Sequence, residues 1–205
     1  MDGLISKIRS TATGVEAPGT APTHTLFFRP SAADSMLVTV HHSSYAQDAL
    51  PLFTVKASEG VSMSKSAPDH SFSQNDQVMG ETHFSMMTSK VHLSVRGRRI
   101  EMKQSSVSGN FSMDVSPLPK LKWKVNQMTG SSLQLVDEAG AKLAKIGKSS
   151  SLGGADAGQK LEIFVPCDEF FVDLCVISGY AVWILNKTTN EVVKQVVDAA
   201  AGLGS

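Results

Sequence analysis

Hydrophobic and polar residues alternate along most of this 205-residue chain, which is the pattern of β-strands that bury one face. The clearest example reads LKWKV, in which Leu121, Trp123 and Val125 share one face while Lys122 and Lys124 share the other. The alternation predicts strands at residues 24–29, 36–41, 50–56, 83–87, 90–95, 99–103, 110–115, 121–125, 132–136, 142–146 and 161–165, with one or two short strands inside 57–80.

One stretch near the C-terminal end departs from this alternation. Residues 170–185 read FFVDLCVISGYAVWIL, and 13 of these 16 residues are apolar. A helix that is apolar all round, in a protein otherwise made of strands, must be buried on every side. Asp168 suits the N-cap of such a helix and Asn186 suits its C-terminal end, so we predict a helix over 168–186.

The same stretch is too short for a bilayer. Sixteen helical residues rise about 24 Å, whereas the hydrocarbon core is about 30 Å thick. Asp173 also lies inside the stretch, where a bilayer would make its charge costly. We therefore expect a core helix and no transmembrane span, with a tail-type membrane anchor as the alternative.

Together these segments predict an all-β fold with one helix: a closed antiparallel β-barrel of about 10–12 strands around a central hydrophobic C-terminal helix. Residues 1–22 are rich in Ser, Thr, Ala, Gly and Pro, and we predict a flexible N-terminal arm there. The barrel domain covers 23–187. Residues 188–205 form a C-terminal tail with a short amphipathic helix over 190–200, where valines recur at helical spacing.

Net charge indicates which classes of partner to expect, and cysteine content indicates the cellular compartment. Lysine plus arginine and aspartate plus glutamate number 19 each, so the net charge is zero. No overall attraction to nucleic acid or to an anionic membrane is expected, and any such attraction must come from a local patch. The start MDGLISKIRS has no apolar segment of the signal-peptide type, and there are only two cysteines, Cys167 and Cys175. We expect an intracellular, cytoplasmic protein with reduced thiols.

Three segments carry a resemblance to a known family. They are LKWKV at 121–125, the hairpin LQLVDEAGAKLAKI at 133–146, and LEIFVPCDEFFVDLCVISGYAV at 161–182. Their order of strand, hairpin, strand and buried helix resembles the tubby C-terminal-like superfamily, which includes tubby proteins, plant LURP-one-related proteins and phospholipid scramblases, and is similar to uncharacterised fungal members. The resemblance covers residues 115–187, and it implies a membrane-related role. Within the superfamily, tubby domains bind phosphoinositide head groups through basic residues on the barrel surface, and scramblases are linked to lipid movement and calcium.

Two groups of basic residues are candidates for that role. Lys120, Lys122 and Lys124 project from one face of a strand with about 6.8 Å between successive side chains, and a phosphorylated head group fits across such a row. The predicted head-group residues are Lys120, Lys122, Lys124, Arg96, Arg98, Arg99 and Lys103. The alternative is a solvated strand face whose lysines discourage edge pairing.

We therefore expect a non-enzymatic peripheral membrane or phosphoinositide-binding adaptor, associated with anionic phospholipid head groups. The alternative is a protein-interaction or scaffold domain that contacts its partner through the arm or through 190–200. No HExxH, GxSxG or EF-hand motif occurs, so no catalytic residue, metal or cofactor is predicted.

Four further positions raise narrower expectations. We expect Cys167 to be a small buried residue near the barrel mouth, and the alternative is a reactive thiol whose pKa is lowered by the dipole of the predicted helix that follows it. Asp173 needs a hydrogen-bond donor if it is buried. His83 and His92 can meet across a hairpin.

Overall fold

The structure is a computed structural model that describes residues 21–31, 33–34, 36–42, 51–57, 60–65, 78–84, 89–126, 132–149 and 158–202. The predicted N-terminal arm lies outside the described residues, apart from residues 21 and 22. The described part contains twelve strands and one helix. The strands are β1 His24–Pro30, β2 Leu37–His41, β3 Phe53–Ala57, β4 Gly60–Lys65, β5 Val78–Phe84, β6 Lys90–Val95, β7 Arg98–Gln104, β8 Phe111–Met113, β9 Leu121–Val125, β10 Leu133–Val136, β11 Lys142–Lys148 and β12 Gln159–Ile163.

The twelve strands form one closed antiparallel barrel. Each strand pairs with its neighbours in the sequence, and β1 pairs with both β2 and β12 to close the sheet. The barrel prediction is therefore confirmed. Because every strand has a neighbour on both sides, the described sheet has no free edge.

The helix α1, Glu169–Gly202, passes through the barrel. It begins directly after Asp168, whose Oδ1 accepts the Phe171 N–H at 2.9 Å, so the predicted N-cap is confirmed. Residues 173–182, which cover all faces of the helix, are buried, among them Leu174, Val176 and Ile177. The prediction of a central hydrophobic helix is thus also confirmed.

The predicted end of the helix at Asn186 is wrong. The helix continues to Gly202 and includes the segment 190–200, so the predicted short helix in the tail is part of α1. The intervening residues NKTTN contain no glycine or proline to stop a helix. Thr189 is helical as well, and its Oγ1 donates to the Leu185 carbonyl at 2.8 Å.

The helix defines two different ends of the barrel. Its first turns contact Arg96 in the β6–β7 turn, and we call this rim the helix-entry end. Further along, the ring of Tyr180 stacks on Phe28 near the other end of β1, with 5.5 Å between ring centroids. We call that opposite rim the helix-exit end. Since Lys187 is exposed there, the rest of α1 extends about 22 Å beyond the barrel.

Close packing explains why the middle of α1 is so apolar. The Trp123 indole N–H donates to Ser178 Oγ at 3.0 Å, and Gly179 lies against the same indole ring and against Ile146. The expectation that the apolar stretch is too short for a bilayer does not hold for the observed helix, since Glu169–Thr189 is long and apolar enough to cross one, with mean hydropathy 1.4. However, 61% of its most apolar window is buried inside the protein. Its apolar character therefore fits the barrel core.

Candidate functional site

The lysine row follows the outer wall of β9: Lys122 and Lys124 lie on the strand, and Lys120 directly precedes it. This strand has the predicted bounds, Leu121–Val125, and the predicted alternation: Leu121 and Trp123 are fully buried, while Lys122 and Lys124 are exposed. Because Trp123 is fixed in the core by its hydrogen bond to α1, the lysines on either side of it must point outward.

The three lysines line one groove. Its volume is about 470 Å³, which lies in the usual range for small-molecule sites. Neutral hydrogen-bonding side chains from the β7–β8 connection and from β8 line the same groove, namely Ser105, Ser108, Asn110 and Ser112. Two carboxylates from the β10–β11 turn, Asp137 and Glu138, also reach it.

The groove differs in chemistry from one end to the other. Ser112 pairs in register with Lys122, and the Val125 N–H donates to Asn110 Oδ1 at 3.1 Å, which places Asn110 beside Lys124. Val136 is the register partner of Lys122 on the other side, so the turn that follows it lies toward Lys120. Hydroxyl and amide groups therefore accompany Lys122 and Lys124 toward the helix-exit end, and carboxylates accompany Lys120 toward the helix-entry end.

The three lysines are not held in direct ion pairs by the described residues, although Asp137 and Glu138 reach the same groove. Within the described part of the chain, none of the three forms an ion pair within 4 Å. Asp137 is almost fully buried, and its Oδ1 accepts the Ala141 N–H at 2.8 Å within its own turn. Edge protection does not explain the lysines either, because β9 is paired on both sides.

Arg96, one of the predicted head-group residues, is instead bound to the helix. Its Nε donates to Asp173 Oδ2 at 2.5 Å, and its Nη2 donates to Glu169 Oε2 at 2.9 Å. The hydrogen bond to Asp173 contributes most to raising the pKa of Arg96, against the opposing effect of burial. Asp173 is 1% exposed, so its expected donor is this arginine.

The other two predicted arginines lie toward the helix-entry end of the barrel. Arg98 lies 4.6 Å above the Phe170 ring, beside the start of α1. Arg99 is exposed on β7 and pairs in register with Ser94. The structure does not bring these arginines into the lysine groove.

Of the predicted head-group residues outside the lysine row, Lys103 is the one that adjoins the groove. It pairs in register with Ser112, which pairs in turn with Lys122, so two strand spacings of about 9.5 Å in total separate the two lysines. Its Nζ contacts Glu101 Oε1 at 3.0 Å, and Glu101 also binds Lys90. These contacts hold the pKa of Glu101 below its usual value, first through Lys103.

Sequence reasoning missed the neutral side of the groove. Ser112 lies between buried Phe111 and Met113, so the alternation of β8 does place it outside the barrel. The turn that carries Ser105 and Ser108 has no signal of its own, because Ser-rich turns are common on protein surfaces. Their position beside Lys124 depends on strand pairing.

Cys167 does not have the properties of a nucleophile. Its Sγ lies 3.8 Å from His24 Nδ1, yet burial and the charge of Asp168 raise the pKa of the Cys167 thiol to about 11. Cys167 is partly buried and packs against the core, as expected for a small structural residue, and the alternative of a thiol activated by the helix dipole is not supported. A protonated thiol is a poor nucleophile and a poor metal ligand.

The histidine pair expected from the sequence does form. His83 and His92 are register partners on β5 and β6. No group of three His, Cys, Asp or Glu side chains within the described ranges could hold a metal ion.

Comparisons of the chain with protein-family models, with curated proteins and with solved structures find no match.

Proposed function

We propose that this is a non-enzymatic, intracellular, membrane-peripheral domain that binds phosphorylated lipid head groups in the lysine groove. One observation carries the proposal: Lys120, Lys122 and Lys124 line a single groove with neutral hydrogen-bond donors, and no described carboxylate pairs with them. Asp137 and Glu138 reach the groove at the Lys120 end, so its positive charge is concentrated beside Lys122 and Lys124, where it can attract an anion.

The chemistry of the groove favours a phosphorylated sugar alcohol. Lysine binds phosphate as a point charge, and successive lysines about 6.8 Å apart can each contact one phosphate of the same head group. The Ser and Asn side chains beside Lys122 and Lys124 can bind ring hydroxyls. Asp137 and Glu138 disfavour phosphate near Lys120, so we assign the phosphates to the other two lysines.

The resemblance to the tubby C-terminal-like superfamily supports the same function. Tubby domains, which belong to that superfamily, bind phosphoinositides through basic residues on the surface of a barrel that surrounds an apolar helix. We propose membership of this superfamily for the chain. We assign Arg96 and Arg98 to holding the start of α1 and leave them out of the head-group site.

A second candidate function is protein interaction through the extension of α1. The helix continues from Lys187 to Gly202 beyond the barrel, and its sequence there repeats valine at helical spacing. Self-association or capture of a defined partner that is lost on truncation after Lys187, with head-group binding unchanged, would favour this candidate.

The first experiment measures binding of a soluble inositol bisphosphate by calorimetry, and of phosphoinositide vesicles by co-sedimentation at low and high salt. We expect Lys120→Ala/Lys122→Ala/Lys124→Ala to weaken both by about tenfold for each lysine–phosphate hydrogen bond removed, since a charge-assisted hydrogen bond contributes roughly 1.5 kcal/mol. Vesicle binding should also fall as salt rises.

A charge-matched variant separates the groove from general electrostatic attraction. Lys56→Ala/Lys65→Ala/Lys160→Ala removes the same charge from β3, β4 and β12, away from β9. This variant should bind the soluble head group as tightly as the wild type. Equal weakening in both triple variants, or no binding of either ligand by the wild type, would refute the groove as the site.

A further inference from the structure

Large exposed hydrophobic side chains are rare on this barrel. Among the described residues there are two, Val107 with 94% of its surface exposed and Met36 with 44%. A single exposed hydrophobic residue needs no explanation by itself, so its surroundings decide whether it has a role.

Val107 lies directly beside the lysine groove. It occupies the tip of the β7–β8 turn, and Ser105 and Ser108 on either side of it line the groove. The turn is held by its own hydrogen bonds: Gly109 N–H donates to the Ser105 carbonyl at 2.9 Å, and Ser108 N–H donates to Ser105 Oγ at 3.3 Å. The turn thus presents an apolar tip next to a basic surface.

The basic surface continues around the tip. Lys103, at the end of β7, is exposed, and Lys124, at the end of β9, lies near the same rim. Antiparallel pairing of consecutive strands places the ends of β7 and β9 at the helix-exit end, together with the turn that carries Val107. Lys124 and Lys103, of which Lys103 is paired with Glu101, thus lie on either side of an apolar tip. This arrangement complements an anionic bilayer, whose surface is negative and whose interior is apolar.

We propose that the outer wall formed by β7, β8 and β9 docks on an anionic bilayer, with the Val107 tip inserted into the interface beside the head group held in the groove. The inference rests on the proposed function for the head group, and it adds the orientation of the barrel and a residue that enters the membrane. The extension of α1 leaves the barrel at the same end.

Vesicle binding and soluble head-group binding separate the two proposals. Val107→Ser should reduce partition into vesicles of phosphatidylcholine with anionic phospholipid by about five- to tenfold, because an apolar side chain no longer enters the interface. Val107→Leu should match or exceed wild-type partition. Both variants should bind soluble inositol bisphosphate as the wild type does, and neither should affect folding, since the Val107 side chain is almost fully exposed.

Met36 supplies a matched control. It is also exposed at the helix-exit end, in the β1–β2 turn, but six strand positions around the twelve-stranded barrel separate that turn from the β7–β8 turn. Met36→Ser should therefore leave vesicle partition unchanged. An equal decrease in Val107→Ser and Met36→Ser would overturn the proposed docking surface.

A direct probe of depth completes the test. An environment-sensitive dye on Val107→Cys, in a Cys167→Ser background with Cys175 buried, should shift its emission to the blue when vesicles are added, and a dye on Met36→Cys should not. Unchanged partition of Val107→Ser and an unshifted dye would overturn the insertion, while the groove proposal would still stand if the lysine triple variant lost soluble head-group binding.

Discussion

Arg96, at the tip of the β6–β7 turn, donates through its Nε to the buried carboxylate of Asp173 in the second turn of α1. The pair joins the barrel rim to the central helix across 77 residues of sequence. A buried carboxylate without a partner would be costly, so this contact permits Asp173 to lie inside an otherwise apolar stretch.

Removal of Arg96 should destabilise the fold strongly. We choose Arg96→Asn, because Arg96 has a φ of 47° and asparagine tolerates this left-handed conformation. The variant leaves Asp173 buried without its ion pair, and we expect a decrease of about 3 kcal/mol in the free energy of unfolding. This lies at the low end of the usual range because Arg96 is one-third exposed. Urea unfolding followed by circular dichroism measures the change.

Glu169 provides the control for this prediction. It binds the same arginine but is 76% exposed, so Glu169→Gln should cost less than about 0.5 kcal/mol. Arg96→Asn/Asp173→Leu should recover most of the stability, since it removes the buried charge itself. A double variant as unstable as Arg96→Asn alone would contradict the explanation.

The Arg96–Asp173 pair also shows what the sequence alone could not reveal. The alternation around Leu121–Val125 and the N-cap at Asp168 are local patterns, and both predictions hold. Sequence reasoning expects Asp173 to need a donor and separately assigns Arg96 to lipid, because nothing local connects residues so far apart in the chain.

The candidate site likewise has one part that the sequence predicts and another that it does not. The lysine row follows from the period of one strand, so its outward face was predictable. Ser105 and Ser108 join the row through pairing of β7, β8 and β9, and register across three strands cannot be read from any one of them. The predicted end of α1 is wrong because polar residues can either end a helix or continue it in solvent.

Close packing, and not backbone conformation, should require glycine at position 179. A Cβ at this position would lie 2.5 Å from Ile146 Cδ1 and 2.9 Å from Trp123 Cζ2. Gly179→Ala should therefore destabilise the protein by about 1–3 kcal/mol, although alanine favours a helix by about 1 kcal/mol over glycine. Thermal unfolding measures the shift.

A second substitution tests the steric cause. Ile146→Val removes the methyl group that the new Cβ would meet, so Gly179→Ala should cost less in that background than in the wild type. The Trp123 ring cannot yield as easily, since its indole N–H is bound to Ser178, and part of the cost should remain. A stabilising effect of Gly179→Ala alone would show that the packing is looser than the contacts indicate.

Cys167 should react slowly with alkylating agents and should make the fold sensitive to alkali. With a pKa of about 11, about one thiol in a thousand is ionised at pH 8, so iodoacetamide should modify native Cys167 far more slowly than the unfolded chain. Rapid modification of the native protein at pH 8 would instead indicate a thiolate activated by His24, and would reopen the question of catalysis.

The direction of the alkaline effect follows from the same pKa. The folded state holds the thiol proton more tightly than the unfolded chain, whose cysteine ionises near its ordinary pKa of 9.0. Between about pH 9 and pH 11 the unfolded state is therefore the one stabilised by release of the proton, and stability should fall as the pH rises. Cys167→Ser removes this titration, so the decline in the urea midpoint between pH 8 and pH 10.5 should be smaller in the variant. An identical decline in the two proteins would show that other groups cause the alkaline sensitivity. Cys175 and Tyr180 are the candidates, because burial raises the pKa of both.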